Sequence, residues 1–207
     1  MTMRIAVAIS GRGSNLQALL RALRPDAPAQ VVLVLTDRAQ APGLSHATTR
    51  NIPVVVLPDP ADAAAWLEPL QNHRIDLIVL AGYLRLVPAP VVAAHRGRII
   101  NTHPSLLPAF GGRGMYGERV HQAVLDSGAQ ETGVTVHLVD EVYDRGAVLA
   151  QSRIPVLRDD TAERLAARVL EVEHRLLPAA VLAAAAAGRP VPIHDSPVES
   201  HESCPGH

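Results

Sequence analysis

The sequence predicts an α/β protein of the Rossmann-like, doubly wound type: a mostly parallel sheet with an antiparallel hairpin in its C-terminal half. Three observations carry this. Continuous apolar runs recur along the N-terminal half: IAVAI, VVLVL, VVVL and LIVLAG. Such runs suit parallel strands covered on both faces, since one-faced strands alternate apolar and polar residues. Helical stretches lie between them. After Arg98, two β-rich runs are joined only by EVYDR, too short for a parallel crossover.

Each element has its own reason. Ile5 to Ile9 reads as the first strand, and SNLQALLRAL as the helix after it. Val31 to Leu35, Val54 to Leu57 and Leu77 to Gly82 continue the strand series, with GLSHATTRN and ADAAAWLEPLQNH as helices between. RIINT is a further strand, and GERVHQAVLDSG is a helix stopped by Gly128. ETGVTVHLVD and GAVLAQSRIPV form the antiparallel pair. A long helix starts near Asp159, Asp160 and Thr161 and stops at Gly188, with Pro178 expected to kink or split it. The expected organisation is one domain over residues 1–188, its N-terminal half for nucleotide phosphate and its C-terminal half for catalysis. A tail follows over 189–207, with a strand-like patch near VPIH.

Composition narrows the function. The 207 residues suit one core, and a formal net charge of −1 gives no bulk electrostatic case for nucleic acid or membrane binding. The chain has no lysine, which removes Schiff-base and lysine-clamp chemistry. The single cysteine, Cys204, excludes a disulfide framework and a cysteine zinc site. No His, Cys and carboxylate cluster has convincing metal-ligand spacing. The N-terminus shows no signal-peptide pattern and no apolar run matches a membrane span, so a cytoplasmic protein is expected.

Two stretches carry chemistry. ISGRGSNLQALL joins the first strand to the first helix. Gly11 and Gly13 permit a tight turn, Ser14 and Asn15 can cap the helix, and the helix N-terminus suits a phosphate. The spacing fits neither a dinucleotide fingerprint nor a Walker loop, which favours a mononucleotide or sugar phosphate. The second stretch is RIINTHPSLLPAFGG. Asn101 and His103 share one face at the carboxyl end of a strand, where open α/β sheets bind ligands. An amide and an imidazole there can polarise one carbonyl oxygen. A carboxylate from Asp140, Glu141 or Asp144 can set the state of the imidazole; an aspartate beside His103 is expected to raise its pKa and favour the imidazolium. These residues alone indicate a polar site for a carbonyl or acyl reaction.

Taken together, SGRGSNLQ, AGYLRLV, INTHPSLLPAF, GVTVHLVDEVYDRGAVLAQ and EHRLLP resemble the folate-dependent glycinamide ribonucleotide formyltransferases in order and spacing. The resemblance spans about residues 4–188 and implies the formyltransferase fold. It implies transfer of the formyl group of 10-formyltetrahydrofolate to the glycinamide ribonucleotide amine, with the folate as co-substrate and no metal. Carried over, Asn101, His103 and Asp144 match the catalytic trio. Gly13, Ser14 and Asn15 match the phosphate contacts, and Glu173 the carboxylate that contacts the ribose hydroxyls; without the match, Glu173 reads as an exposed helix residue. Arg85, Leu86, Val87, Val139, Asp140 and Glu141 match the folate pocket. His137 reads as a supporting or core residue, and His121 as structural. The resemblance allows a monomer or a homodimer.

The segment AFGGRGMYGERVH is longer than in the shortest relatives, and Ala147 stands where proline is frequent. A 10-formyltetrahydrofolate hydrolase and a methionyl-tRNA formyltransferase share the core. The hydrolase has no use for the Ser14–Asn15 cradle, and the tRNA enzyme is expected to need a further C-terminal domain and a basic surface. A non-catalytic nucleotide-binding module is disfavoured by the joint presence of Asn101, His103 and Asp144.

Overall fold

The computed structural model describes residues 2–193. In chain order the elements are β1 (Met3–Ile9), α1 (Ser14–Ala22), β2 (Ala29–Thr36), α2 (Leu44–Thr48), β3 (Val54–Val56), α3 (Ala63–Asn72), β4 (Leu77–Leu80), α4 (Ala89–Ala94), β5 (Ile99–His103), α5 (Glu118–Asp126), β6 (Glu131–Leu138), β7 (Val148–Pro155) and α6 (Ala162–Ala187). The strands form one seven-stranded sheet in the order β3-β2-β1-β4-β5-β6-β7. Pairing is parallel from β3 to β5 and antiparallel across β5-β6-β7. The strand order turns back between β1 and β4, and such a switch point opens a crevice at the carboxyl ends of the strands.

The apolar runs of β1, β2 and β4 behave as double-faced strands, whereas β3 departs from that expectation: it pairs on one side only, is half-buried and leaves Val56 exposed. Along β1, Ile5, Val7 and Ile9 join the apolar layer beneath α1 and α6, while Ala6 and Ala8 join the layer that holds Trp66 of α3 and Val91 of α4. Every residue from Ile5 to Ile9 is fully buried. The amphipathic face of α6, with Leu165, Val169, Val172 and Leu176, packs into the first layer at helical spacing.

Four further expectations change. The helix α4 has no counterpart in the sequence reading: its six residues follow Pro88, include Pro90 and show too short a period to read. The helix α6 runs without a break across Pro178, which is itself buried, so packing of its apolar face outweighs the lost backbone hydrogen bond. Ser14 and Asn15 do not cap α1. The cap is Gly13, in a left-handed conformation at φ 69°, and no side chain bonds the first turn. Near VPIH no strand forms among the described residues, although the Ile193 N–H donates to the Leu149 carbonyl at 2.8 Å. His194 and the remaining tail, including Cys204, lie outside the described residues.

Candidate active site

The strand β5 ends in the crevice. Its register against β6 pairs Asn101 with His137 and His103 with Thr135. Asn101 and His103 project from the same face because they are two residues apart. The cross-strand pairing brings His137 Nε2 to 3.1 Å from Asn101 Nδ2. His137 Nδ1 lies 2.7 Å from the Leu138 carbonyl, which can only accept. That assigns the ring proton to Nδ1, so Nε2 accepts one of the two Asn101 amide hydrogens. The second Asn101 hydrogen is left for the crevice.

Asp144 reaches the same point from the loop between β6 and β7. It adopts a left-handed backbone at φ 56°, a region that aspartate enters more readily than most residues. Its Oδ2 accepts the Gly112 N–H at 2.8 Å and lies 3.6 Å from His103 Nδ1. Its Oδ1 lies 3.6 Å from His137 Nε2. Burial pushes this carboxyl up, but the groups around it, the Gly112 N–H donor among them, hold it below the ordinary aspartate value. Asp144 is therefore a carboxylate at neutral pH.

His103 departs from the expectation of an imidazolium. It is 4 % exposed, and burial holds its pKa below the ordinary histidine value. The Asp144 carboxylate and the Phe110 carbonyl pull upward without overcoming burial, and His137 opposes them. His103 Nε2 donates to the Phe110 carbonyl at 2.8 Å, which leaves Nδ1 bare and turned toward Asp144. The resting pair is a neutral proton acceptor beside a carboxylate.

In the same crevice, Glu173 of α6 is 8 % exposed, unlike an ordinary surface helix residue. Thr102 Oγ1 donates to its Oε1 at 3.2 Å. Burial raises its pKa to about 7, although hydrogen bonds from Asn15 and Thr102 pull downward. Asn15 is also buried, and its Oδ1 has no hydrogen-bond partner among the described residues. With no side chain capping α1, the first-turn N–H groups stay available to an anion.

One cleft of about 980 Å³ joins these features. Gly13, Ser14, Asn15 and Glu173 line it, as do Asn101, His103 and Asp144 and also Arg85, Leu86, Val87, Val139 and Asp140. Glu141 does not line it. The sequence pattern described as Formyl transferase matches residues 3–181.

The chain belongs to the formyl transferase family.

Among its relatives, a chloroplastic phosphoribosylglycinamide formyltransferase from Vigna unguiculata is 44% identical over 180 residues, 84% of this chain and 58% of that protein. The trifunctional purine biosynthetic protein adenosine-3 of Drosophila melanogaster is 42% identical over 187 residues, 86% of this chain and 14% of that protein. The chain thus spans little more than half of the plant protein and a small part of the fly protein. The crystal structure of phosphoribosylglycinamide formyltransferase from Brucella melitensis superposes with a TM-score of 0.80 at 46% identity, covering 90% of this chain and 97% of that one.

Among the side chains that line the cleft and were not assigned to the site from sequence, three bear on the catalytic trio. His137 orients Asn101, and the signal that finds it is strand register. Tyr143 lines the cleft and is 37 % exposed, an apolar surface beside Asp144. His121 lines the cleft from α5 with Nδ1 buried and without a partner, and burial followed by the neighbouring His103 lowers its pKa. Among the described residues, no group of three His, Cys, Asp or Glu side chains is placed to hold a metal ion. Among the same residues, no helix is long and apolar enough to cross a membrane.

Proposed function

We propose that this chain transfers the formyl group of 10-formyltetrahydrofolate to the amine of glycinamide ribonucleotide in purine biosynthesis. The observation that carries the reading is the single cleft, whose lining joins the open N-terminus of α1, the side chains of Asn101, His103 and Asp144, and the apolar residues Leu84, Leu86 and Val142. The names of the plant and Brucella relatives support the acceptor and the transferred group, and that of the fly relative supports a place in purine biosynthesis.

The phosphate sits on the first-turn N–H groups after Gly13, with Ser14 and Asn15 at its side. Glu173 accepts hydrogen bonds from the ribose hydroxyls. The apolar part of the lining suits a flat heteroaromatic ring: Leu84, Leu86 and Val142 are apolar side chains exposed at 37 %, 43 % and 58 %. Arg85, Leu86, Val87, Val139 and Asp140 bind the folate. Glu141, outside the cleft lining, is removed from that set.

The folate supplies a formyl carbon bonded to nitrogen. Formyl transfer forms a bond between the substrate amine and that carbon and breaks the bond to the folate nitrogen. The free Asn101 amide hydrogen is aimed at the formyl oxygen, which gains negative charge as the amine adds. His103 Nδ1 takes the proton that the amine sheds. The resulting imidazolium lies between the Phe110 carbonyl and the Asp144 carboxylate, both placed to stabilise positive charge. The proton then passes to the departing folate nitrogen, which balances the step. Asp144 acts when His103 becomes charged, not by holding it charged beforehand.

The reading includes a cytoplasmic enzyme, as monomer or homodimer. Its test mixes purified protein with 10-formyltetrahydrofolate and follows tetrahydrofolate release with and without glycinamide ribonucleotide. Release that requires the ribonucleotide is the expected result. Release at the same rate without it would make the protein a hydrolase, and no release in either arm would refute the assignment.

A further inference from the structure

Gly43 is a residue that neither the cleft nor the sequence motifs single out. It lies in the loop between β2 and α2 and does not line the cleft. Its N–H donates to the Gly11 carbonyl at 3.0 Å. Its α-carbon lies against Gly13: a β-carbon added at Gly43 would sit 2.7 Å from Gly13 Cα, 2.8 Å from Gly13 N and 2.9 Å from the Arg12 carbonyl carbon. These separations are far inside carbon–carbon contact, which is roughly 3.5–4.0 Å. The backbone of Gly43 is ordinary helical, at φ −64° and ψ −15°, so any residue can adopt it. Glycine is required here for close approach, not for conformational freedom.

The hydrogen bond has a directional consequence. In a trans peptide the carbonyl and the following N–H point in opposite directions. Tying the Gly11 carbonyl to Gly43 therefore turns the Arg12 N–H away from Gly43. Among the described residues, the Arg12 and Ser14 N–H groups have no hydrogen-bond partner. Successive unpaired N–H groups in such a turn form a concave anion site.

We infer that Gly43 is a positioning residue for the phosphate-binding turn: it fixes the peptide between Gly11 and Arg12 and so sets affinity for a phosphomonoester dianion from outside the cleft. The inference rests on the proposal that this turn holds the phosphate of the ribonucleotide. Gly43 touches no substrate and acts only through Gly11 and Gly13. A larger residue pushes the turn toward the ligand and breaks the bond that orients it.

The test is Gly43→Ala, with steady-state kinetics in both substrates. The KM for glycinamide ribonucleotide should rise by about ten- to a hundred-fold, the equivalent of one misplaced hydrogen bond to a charged group. The folate KM and kcat should stay within about two-fold, the resolution of such comparisons. Equal rises in both KM values, or an unchanged ribonucleotide KM, would overturn the inference. A second measurement needs no variant: amide NMR of the wild-type protein titrated with inorganic phosphate. The Gly43 amide should shift together with the Arg12 and Ser14 amides and at the same midpoint. Shifts at Arg12 and Ser14 with Gly43 unmoved would overturn the inference, as would no shift at any of the three. Coupled shifts in a protein that forms no tetrahydrofolate with the ribonucleotide would refute the substrate and support the role of Gly43.

Discussion

Replacing Glu173 with glutamine tests the least expected electrostatic feature of the cleft. Glutamine keeps the shape and the oxygen that accepts from Thr102 Oγ1, and it removes the titration. The carboxyl is 8 % exposed, and its pKa rises from 4.5 to about 7 because burial disfavours the charged form. The folded protein therefore holds this proton more tightly than the unfolded chain does. The resulting stability is fully present below about pH 4.5 and is lost as pH rises through about 7. A midpoint moved from 4.5 to about 7 corresponds to roughly 3 kcal/mol over the whole range, and to roughly 2–3 kcal/mol between about pH 5 and 8. Urea unfolding of both proteins across that range isolates the group, since other titrations cancel in the difference. The variant should gain on the wild type by that amount as pH rises from about 5 to 8. A difference that stays constant across this range would refute the raised pKa. A difference that shrinks with rising pH would reverse the sign of the reasoning.

Three further outcomes follow from the catalytic geometry. Asp144→Asn should leave folding intact and lower kcat by about 10²- to 10⁴-fold, the usual span for a group supporting proton transfer; near-normal turnover would remove Asp144 from the chemistry. An NMR titration of the His103 ring should give a midpoint below the ordinary value of 6.5, because burial outweighs the Asp144 carboxylate. A midpoint above 6.5 would restore the resting imidazolium. His137→Phe should lower kcat by about ten-fold through loss of one orienting hydrogen bond to Asn101, with both KM values less affected; an unchanged kcat would show that Asn101 is held without it.

Much of the architecture was legible because its signals are local. Continuous apolar runs at Ile5, Val31 and Leu77 mark strands buried on both faces, the run at Val54 proved to be a half-buried edge strand, and a connection too short for a crossover forces antiparallel pairing. The pairing of Asn101 with His103 was legible from the two-residue period alone. The helix α4 was not, because its short, proline-bearing segment carries too few periods. The suggested capping by Ser14 and Asn15 failed because Gly13 takes the cap position in a left-handed conformation.

The sequence by itself determined the strand–helix order, the mixed sheet, the glycine-rich turn after β1 and the pair Asn101 and His103, since each follows from chain-local periodicity, spacing or motif, while Asp144 was singled out from Asp140 and Glu141 by the family resemblance. Tertiary structure decided the protonation. Burial among distant elements makes His103 neutral and lifts Glu173, and the charge state of a group depends on everything that surrounds it. Tertiary structure also decided the partners. The β5–β6 register hands Asn101 to His137, and the return of the chain after β2 presses Gly43 against Gly13. Both contacts join residues about 30 or more positions apart, which no local pattern encodes.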